Sequence, residues 1–154
     1  MELKPGDKAP AFRLATDGEG AISLSSLKGK PFVFYFYPKD DTSGCTKEAL
    51  DFTKNSGKFG VLGVVVIGVS KDSVASHDKF KTKHKLKLNL ASDPETKTAQ
   101  AYGVWVEKSM YGRKYMGMER ATFLVDATGK IREIWRKVKV AGHAEAVLAA
   151  AKSL

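Results

Sequence analysis

A chain of 154 residues can bury about 70% of the surface that its unfolded form would expose, which excludes dependence on disulfide or metal staples. Its 26 lysines and arginines outnumber 17 aspartates and glutamates to give a net charge of +9, and its one cysteine, Cys45, excludes an intrachain disulfide. No stretch reaches the roughly 18 apolar residues of a membrane span, and Met1-Glu2-Leu3-Lys4-Pro5-Gly6-Asp7 lacks a basic segment followed by an apolar one, so residues 1–154 are expected to form one soluble, cytoplasmic domain.

Ala11 to Leu14 and Ala21 to Leu24 flank the turn signal Asp17-Gly18-Glu19-Gly20 and predict an N-terminal β-hairpin. Pro31 to Tyr37 is an unbroken aromatic and β-branched run, the pattern of a central strand covered on both faces. From Thr42 onward, Ala49, Phe52 and Phe59 recur near helical spacing with Leu50 beside them, while Glu48, Asp51 and Lys54 take the other side. This predicts a helix that Thr42 or Ser43 caps and that Gly57 and Gly60 end. Val61 to Val69 predicts a strand, Ser70 to His84 a helix opened by Ser70 or Asp72, Leu86 to Ala91 a short strand, and Pro94 to Tyr102 a brief helix. A loop carrying Trp105, Met110, Tyr111 and Met118 follows. Ala121 to Val125 and Lys130 to Arg136 then flank Asp126-Ala127-Thr128-Gly129 as a hairpin, and the Ala-rich stretch from Gly142 to Leu154 closes with a helix. Strands alternating with helices imply parallel pairs, and the late hairpin adds antiparallel ones. The expected class is α/β, a central mixed sheet flanked by helices.

The basic excess is concentrated between Lys71 and Lys87 and between Arg132 and Lys139. Lys79, Lys81, Lys83, Lys85 and Lys87 fall at every second position, so on a helix they scatter around it, and only Phe80 interleaves with them. A solvated face is expected here, with no nucleic-acid site. His77 and His84 lie seven apart on one helix face but have no matching cysteine or carboxylate cluster, so neither a metal nor another cofactor is expected.

The pattern places Cys45 within the first turn of a helix that follows a strand. There a thiol lies beside free backbone N–H groups and the positive end of the helix dipole, which favour thiolate over thiol. The segment Tyr37-Pro38-Lys39-Asp40-Asp41-Thr42-Ser43-Gly44-Cys45-Thr46-Lys47-Glu48-Ala49 closely resembles the active-site segment of peroxiredoxins, specifically the peroxiredoxin Q subfamily, also called bacterioferritin comigratory protein. The resemblance continues through Gly68-Val69-Ser70-Lys71-Asp72-Ser73, Ser76-His77-Asp78-Lys79-Phe80, Ala101-Tyr102-Gly103-Val104 and Glu119-Arg120-Ala121-Thr122-Phe123-Leu124-Val125-Asp126. It implies a thioredoxin-like fold and an antioxidant thiol peroxidase that reduces hydrogen peroxide and organic hydroperoxides. It further implies that Cys45 is the attacking, peroxidatic thiol and that Arg120 approaches its sulfur with a charge that cannot be titrated away. Thr42 is then expected to offer a hydroxyl that both donates and accepts, Pro38 to shape the loop and shield the sulfur, and Glu48 to hold the arginine in place. Taken singly, Pro38 reads as a strand terminator, Thr42 as a helix cap and Arg120 as a surface charge; only their combination points to the site.

Many members of the subfamily carry a second, resolving cysteine, either five residues after the first or on the following helix; here those positions are Leu50 and Lys81. The resemblance therefore implies a one-cysteine cycle. A hydroperoxide oxidises Cys45 to a sulfenic acid, and an outside thiol restores it: thioredoxin, glutaredoxin with glutathione, or a low-molecular-weight thiol. Ser43 departs from the proline common in the motif. C-terminal extensions that other peroxiredoxins use for assembly are absent, so a monomer or weak homodimer is expected. Two alternatives stand beside the peroxidase. A dithiol–disulfide oxidoreductase would need a cysteine where Thr42 stands. A basic thioredoxin-like binding module with a structural, unreactive Cys45 predicts an inert thiol and salt-sensitive binding.

Overall fold

The computed structural model describes residues 2–154, and one strand organises it. β3 (Phe32–Phe36) is buried along its whole length. Successive strand side chains point to opposite faces, so Phe32, Phe34 and Phe36 enter one apolar layer while Val33, Tyr35 and Tyr37 enter the other.

Around it lie β1 (Arg13–Thr16), β2 (Gly20–Ser23), β4 (Val65–Ser70), β5 (Asn89–Ser92), β8 (Ala121–Val125) and β9 (Ile131–Trp135), in the spatial order β2-β1-β5-β4-β3-β8-β9. β3, β4 and β5 run parallel, whereas β8 pairs antiparallel with β3 and β9 with β8. The expected mixed sheet is present. Phe12, Tyr102 and Met118 fill the first layer, with Phe12 stacked on Phe34 at 4.4 Å. The second layer is roofed by α1 (Ser43–Lys54), α2 (Ser56–Val61), α3 (Val74–His84) and α5 (His143–Ala151), which contribute Ala49, Phe52, Phe59, Phe80, Val147 and Leu148.

Several boundaries differ from the sequence expectation, each for a physical reason. The helix after Thr42 breaks at Asn55, whose side-chain amide donates to the Asp51 carbonyl and to Glu145 Oε2 on α5, both at 2.8 Å. Gly57 and Gly60 consequently lie inside α2 and do not end α1. Val61 closes α2 and is 88% exposed, and the chain turns at Gly63 (φ 70°) before β4 begins at Val65. Ser70 ends β4; the cap of α3 is Ser73, which accepts from the Ser76 N–H at 3.1 Å. α4 (Lys97–Ala101) starts three residues after Pro94, where Asp93 accepts from the N–H groups of Thr98 and Ala99.

The largest correction is the loop carrying Trp105, Met110, Tyr111 and Met118. It is a separate two-stranded antiparallel hairpin, β6 (Trp105–Met110) and β7 (Arg113–Met118), turned by Tyr111 and Gly112 at φ 52° and 76°. Two positive φ values in a two-residue loop match the twist of a hairpin.

Gly68 faces Tyr35 across the β3–β4 pair, and a methyl group there would lie 2.8 Å from both Cζ and Oη of that ring. Tyr35 is 1% exposed and stacks on Phe52 of α1 at 4.7 Å, so it has nowhere to move. Gly68→Ala is expected to destabilise the fold by about 1–3 kcal/mol in urea denaturation; an unchanged midpoint would show that the layer has slack.

Candidate active site

At the end of β3 the Tyr37 N–H still donates to the Val69 carbonyl at 3.0 Å, and the chain then leaves the sheet through residues 38–42. Two carboxylates pin this loop onto α3. Asp40, 8% exposed, accepts from Tyr37 Oη at 2.6 Å and Ser76 Oγ at 2.8 Å, and pairs with His77 Nδ1 at 2.7 Å. His77 Nε2 contacts the Ala91 carbonyl at 3.0 Å, which requires that nitrogen to carry a proton. The Asp40 N–H donates to Asp72 Oδ2 at 2.8 Å. Asp41 takes a left-handed conformation (φ 60°) and receives Lys83 Nζ at 2.7 Å and His84 Nε2 at 2.8 Å. The two helix histidines are thus partners of loop carboxylates, and among the described residues no group of three or more histidines, cysteines or acids could hold a metal.

Thr42 occupies the N-cap position of α1 with extended backbone angles, but its hydroxyl does not cap. Oγ1 donates to the Lys39 carbonyl at 2.9 Å. With that proton donated to the loop backbone, the oxygen's lone pairs are what it offers as an acceptor. Pro38 is half-buried at the loop's start.

Cys45 lies in the first turn of α1 and is 2% exposed, packed in the layer that holds Val33, Tyr35, Tyr37, Ala49 and Phe52. Its sulfur does not meet only apolar groups. Arg120 immediately precedes β8, whose Ala121 is in register with Phe36, so the arginine emerges beside the end of β3. Its guanidinium forks: Nη2 is 3.3 Å from Cys45 Sγ, and Nη1 donates to Glu48 Oε1 at 2.7 Å. Glu48 is three residues beyond Cys45 and therefore on the same face of α1. Gly44 leaves the space for this approach, since a Cβ there would lie 3.3 Å from Nη2. The structure brings Cys45, Glu48 and Arg120 into direct contact; Thr42 and Pro38 belong to the same loop, and neither is hydrogen-bonded to the sulfur.

Burial pushes the Glu48 carboxyl up to about 7, against the opposing pull of Arg120. For Arg120, burial opposes the charge, but Glu48 and Cys45 prevail and raise it further above its ordinary value. When this pair loses its charge, it is therefore Glu48 that takes up the proton. Glu48 Oε2 is buried without a hydrogen-bond partner, which fits a group poised between its two forms. Two further bases feel the guanidinium. Lys108 on β6 is lowered by burial and then by Arg120, and His143, bonded to Thr122 Oγ1 at 2.8 Å, is lowered to about 4 by burial and then by Arg120. Sequence reasoning named neither as part of this surrounding.

Because the folded carboxyl of Glu48 binds its proton more tightly than the unfolded one, its contribution to stability is complete below pH 4.5 and is lost as pH rises through 7. His143 acts in the opposite sense: its contribution is present above pH 6.5 and is lost as pH falls toward 4. Glu48→Gln should therefore gain stability relative to the native chain between pH 4.5 and 7 and level off above that range. A difference in denaturation midpoint that is constant with pH would contradict this.

The chain as a whole has known relatives. Residues 5–134 match the model of the AhpC/TSA family. The chain is 47% identical over 154 residues to peroxiredoxin Bcp of Bacillus subtilis, an alignment covering 100% of this chain and 98% of the relative. The solved structure of the Xanthomonas campestris bacterioferritin comigratory protein, described for its alkyl peroxide reduction activity, superposes with a TM-score of 0.88 at 45% identity, covering 92% of this chain and 90% of that one. Peroxiredoxin Q of Xylella fastidiosa, in a cysteine-to-serine mutant, gives a TM-score of 0.93 at 39% identity, covering 99% and 98%. These neighbours share the thioredoxin-like peroxiredoxin architecture. The chain belongs to the AhpC/TSA family, among relatives of the Bcp or peroxiredoxin Q type.

Proposed function

We propose that this chain is a thiol peroxidase that reduces hydrogen peroxide and organic hydroperoxides through Cys45, and that the contact between Arg120 and Sγ is what makes the sulfur reactive. The observation that carries this is the forked guanidinium, 3.3 Å from Sγ on one arm and 2.7 Å from Glu48 on the other. Peroxide cleavage is an in-line displacement: the thiolate bonds to one oxygen, the O–O bond breaks, and negative charge develops on the departing oxygen. A fixed cation beside the sulfur favours the thiolate before attack and the departing oxyanion during it, in an apolar layer where such charges are weakly screened. Thr42 Oγ1, with its proton held by Lys39, is free to accept a hydrogen bond from the peroxide O–H. Pro38, half-buried where the loop begins, is assigned the part of shielding the sulfur, and Glu48 that of fixing the far arm of the guanidinium.

The cycle balances with one protein thiol. Cys45 thiolate, ROOH and a proton give the Cys45 sulfenic acid and ROH. An external thiol condenses with the sulfenic acid to release water and leave a mixed disulfide, and a second thiol displaces Cys45 as that disulfide is reduced. Leu50 and Lys81 stand where a second cysteine would serve, so the reducing equivalents come from outside the chain, from thioredoxin, glutaredoxin with glutathione, or a small thiol in a reducing compartment such as the cytoplasm. Among the described residues no helix is long and apolar enough to cross a membrane. An inert, merely packed cysteine would not call for a half-buried arginine held on its sulfur at 3.3 Å.

Arg120→Ala should slow peroxide reduction by about a hundredfold or more, the scale of losing an oxyanion donor; an unchanged rate would refute the assignment. One equivalent of hydrogen peroxide should produce a sulfenic adduct on Cys45 that mass spectrometry detects. An NADPH-coupled assay with thioredoxin set against glutaredoxin plus glutathione then identifies the reductant, and turnover with neither these nor a small thiol would contradict the one-cysteine cycle.

A further inference from the structure

The backbone around Arg120 is held at four points. Lys108 reaches from β6 and donates from Nζ to the Met118 carbonyl. The Glu119 N–H donates to the Val104 carbonyl at 2.7 Å, and the Arg120 carbonyl accepts from the Val138 N–H at 2.9 Å. The fourth point is ionic. Glu119 is 8% exposed, and its carboxylate receives Arg136 Nε at 2.7 Å on Oε2, Arg136 Nη2 at 3.1 Å on Oε1 and the Lys137 N–H at 3.1 Å on Oε2. Arg136 is anchored in turn by the Gly103 carbonyl at 2.9 Å and reaches Glu2 Oε1 at 3.4 Å. Lys137, which completes the set, sits at φ 46° in the left-handed region, a strained conformation that neighbouring contacts must maintain.

None of these groups is bonded to Cys45, yet all converge on the segment from which Arg120 springs. A long side chain can satisfy Sγ and Glu48 together only if its Cα is fixed in place and direction. A bidentate fork between a guanidinium and a carboxylate fixes orientation as well as distance, which a single hydrogen bond does not. Burying a carboxylate beside a second arginine carries a desolvation cost that a solvent-facing residue at this position would avoid. We propose that Glu119 and Arg136 are a positioning pair for Arg120, setting where its guanidinium meets the Cys45 sulfur. The Arg136 hydrogen bonds keep the Glu119 carboxyl below the usual carboxylate range despite burial, so the clamp stays charged across the working pH range. The proposal rests on the role assigned to Arg120 above.

A double-mutant cycle separates positioning from general support of the fold. Arg136→Lys keeps the charge and loses the fork. The second-order rate of Cys45 oxidation by hydrogen peroxide is measured for the native chain, Arg136→Lys, Arg120→Ala and the double variant, at a temperature where circular dichroism shows all four folded. Arg136→Lys should slow the native chain about tenfold or more but the Arg120→Ala chain less than about twofold, because without the guanidinium the clamp has nothing to place. Equal slowing in both backgrounds, or none in the native one, overturns the proposal. If Arg120→Ala itself reacts at the native rate, the assignment of Arg120 fails first and takes the positioning role with it. Should Arg136→Lys not fold, Glu119→Gln enters the same cycle with the same expectations.

Discussion

A guanidinium shared between a sulfur and a buried carboxylate is the contact around which this site is arranged. Neither acidic partner could be placed in the apolar layer cheaply alone: a buried carboxylate without a counter-charge takes up a proton, and a buried thiol without one stays neutral. Arg120 serves both, at 2.7 Å and 3.3 Å, and the fold supplies the two elements that must converge for this. α1 carries Cys45 and Glu48 on one face, and the antiparallel register of β8 with β3 delivers Arg120 to the same end of the sheet. The loop between β3 and α1 is then locked to α3 through Asp40 and Asp41, so the helix start that bears the cysteine is fixed from both sides.

Much of the fold was legible in the residues because strong local patterns coincide with burial. Pro31 to Tyr37 reads as a doubly covered strand and is one, since its alternate side chains fill two separate layers. What was illegible depends on distant partners or weak patterns. The break at Asn55 rests on Glu145, ninety residues away. The β6–β7 hairpin is largely exposed on both strands, so it never shows the alternation that marks a half-buried strand; its only local sign is Tyr111-Gly112, a two-residue turn that favours positive φ. Val61 is apolar and extends the apparent strand, but it is spent on the solvent-facing end of a helix.

The candidate site divides the same way. Cys45, Glu48 and Arg120 are recognisable from residue type and family resemblance, and the structure brings these three into contact. Which atom of Thr42 is committed was not legible, because it depends on the path of the Lys39 carbonyl through the loop. Gly44 has a physical signal only once the guanidinium is in place. Glu119 and Arg136 lie seventeen residues apart on different strands' ends, and nothing in local spacing joins them.

The most direct test of the central contact leaves peroxide aside. Iodoacetamide reacts with the thiolate, so its rate of alkylation of Cys45 at neutral pH reports how far the site favours the anion. The native chain should be alkylated about tenfold or more faster than a folded Arg120→Gln variant, with full-length protein and equal denaturation midpoints as the control. Equal alkylation rates would mean that the guanidinium does not activate the sulfur, and the account would fail at its base.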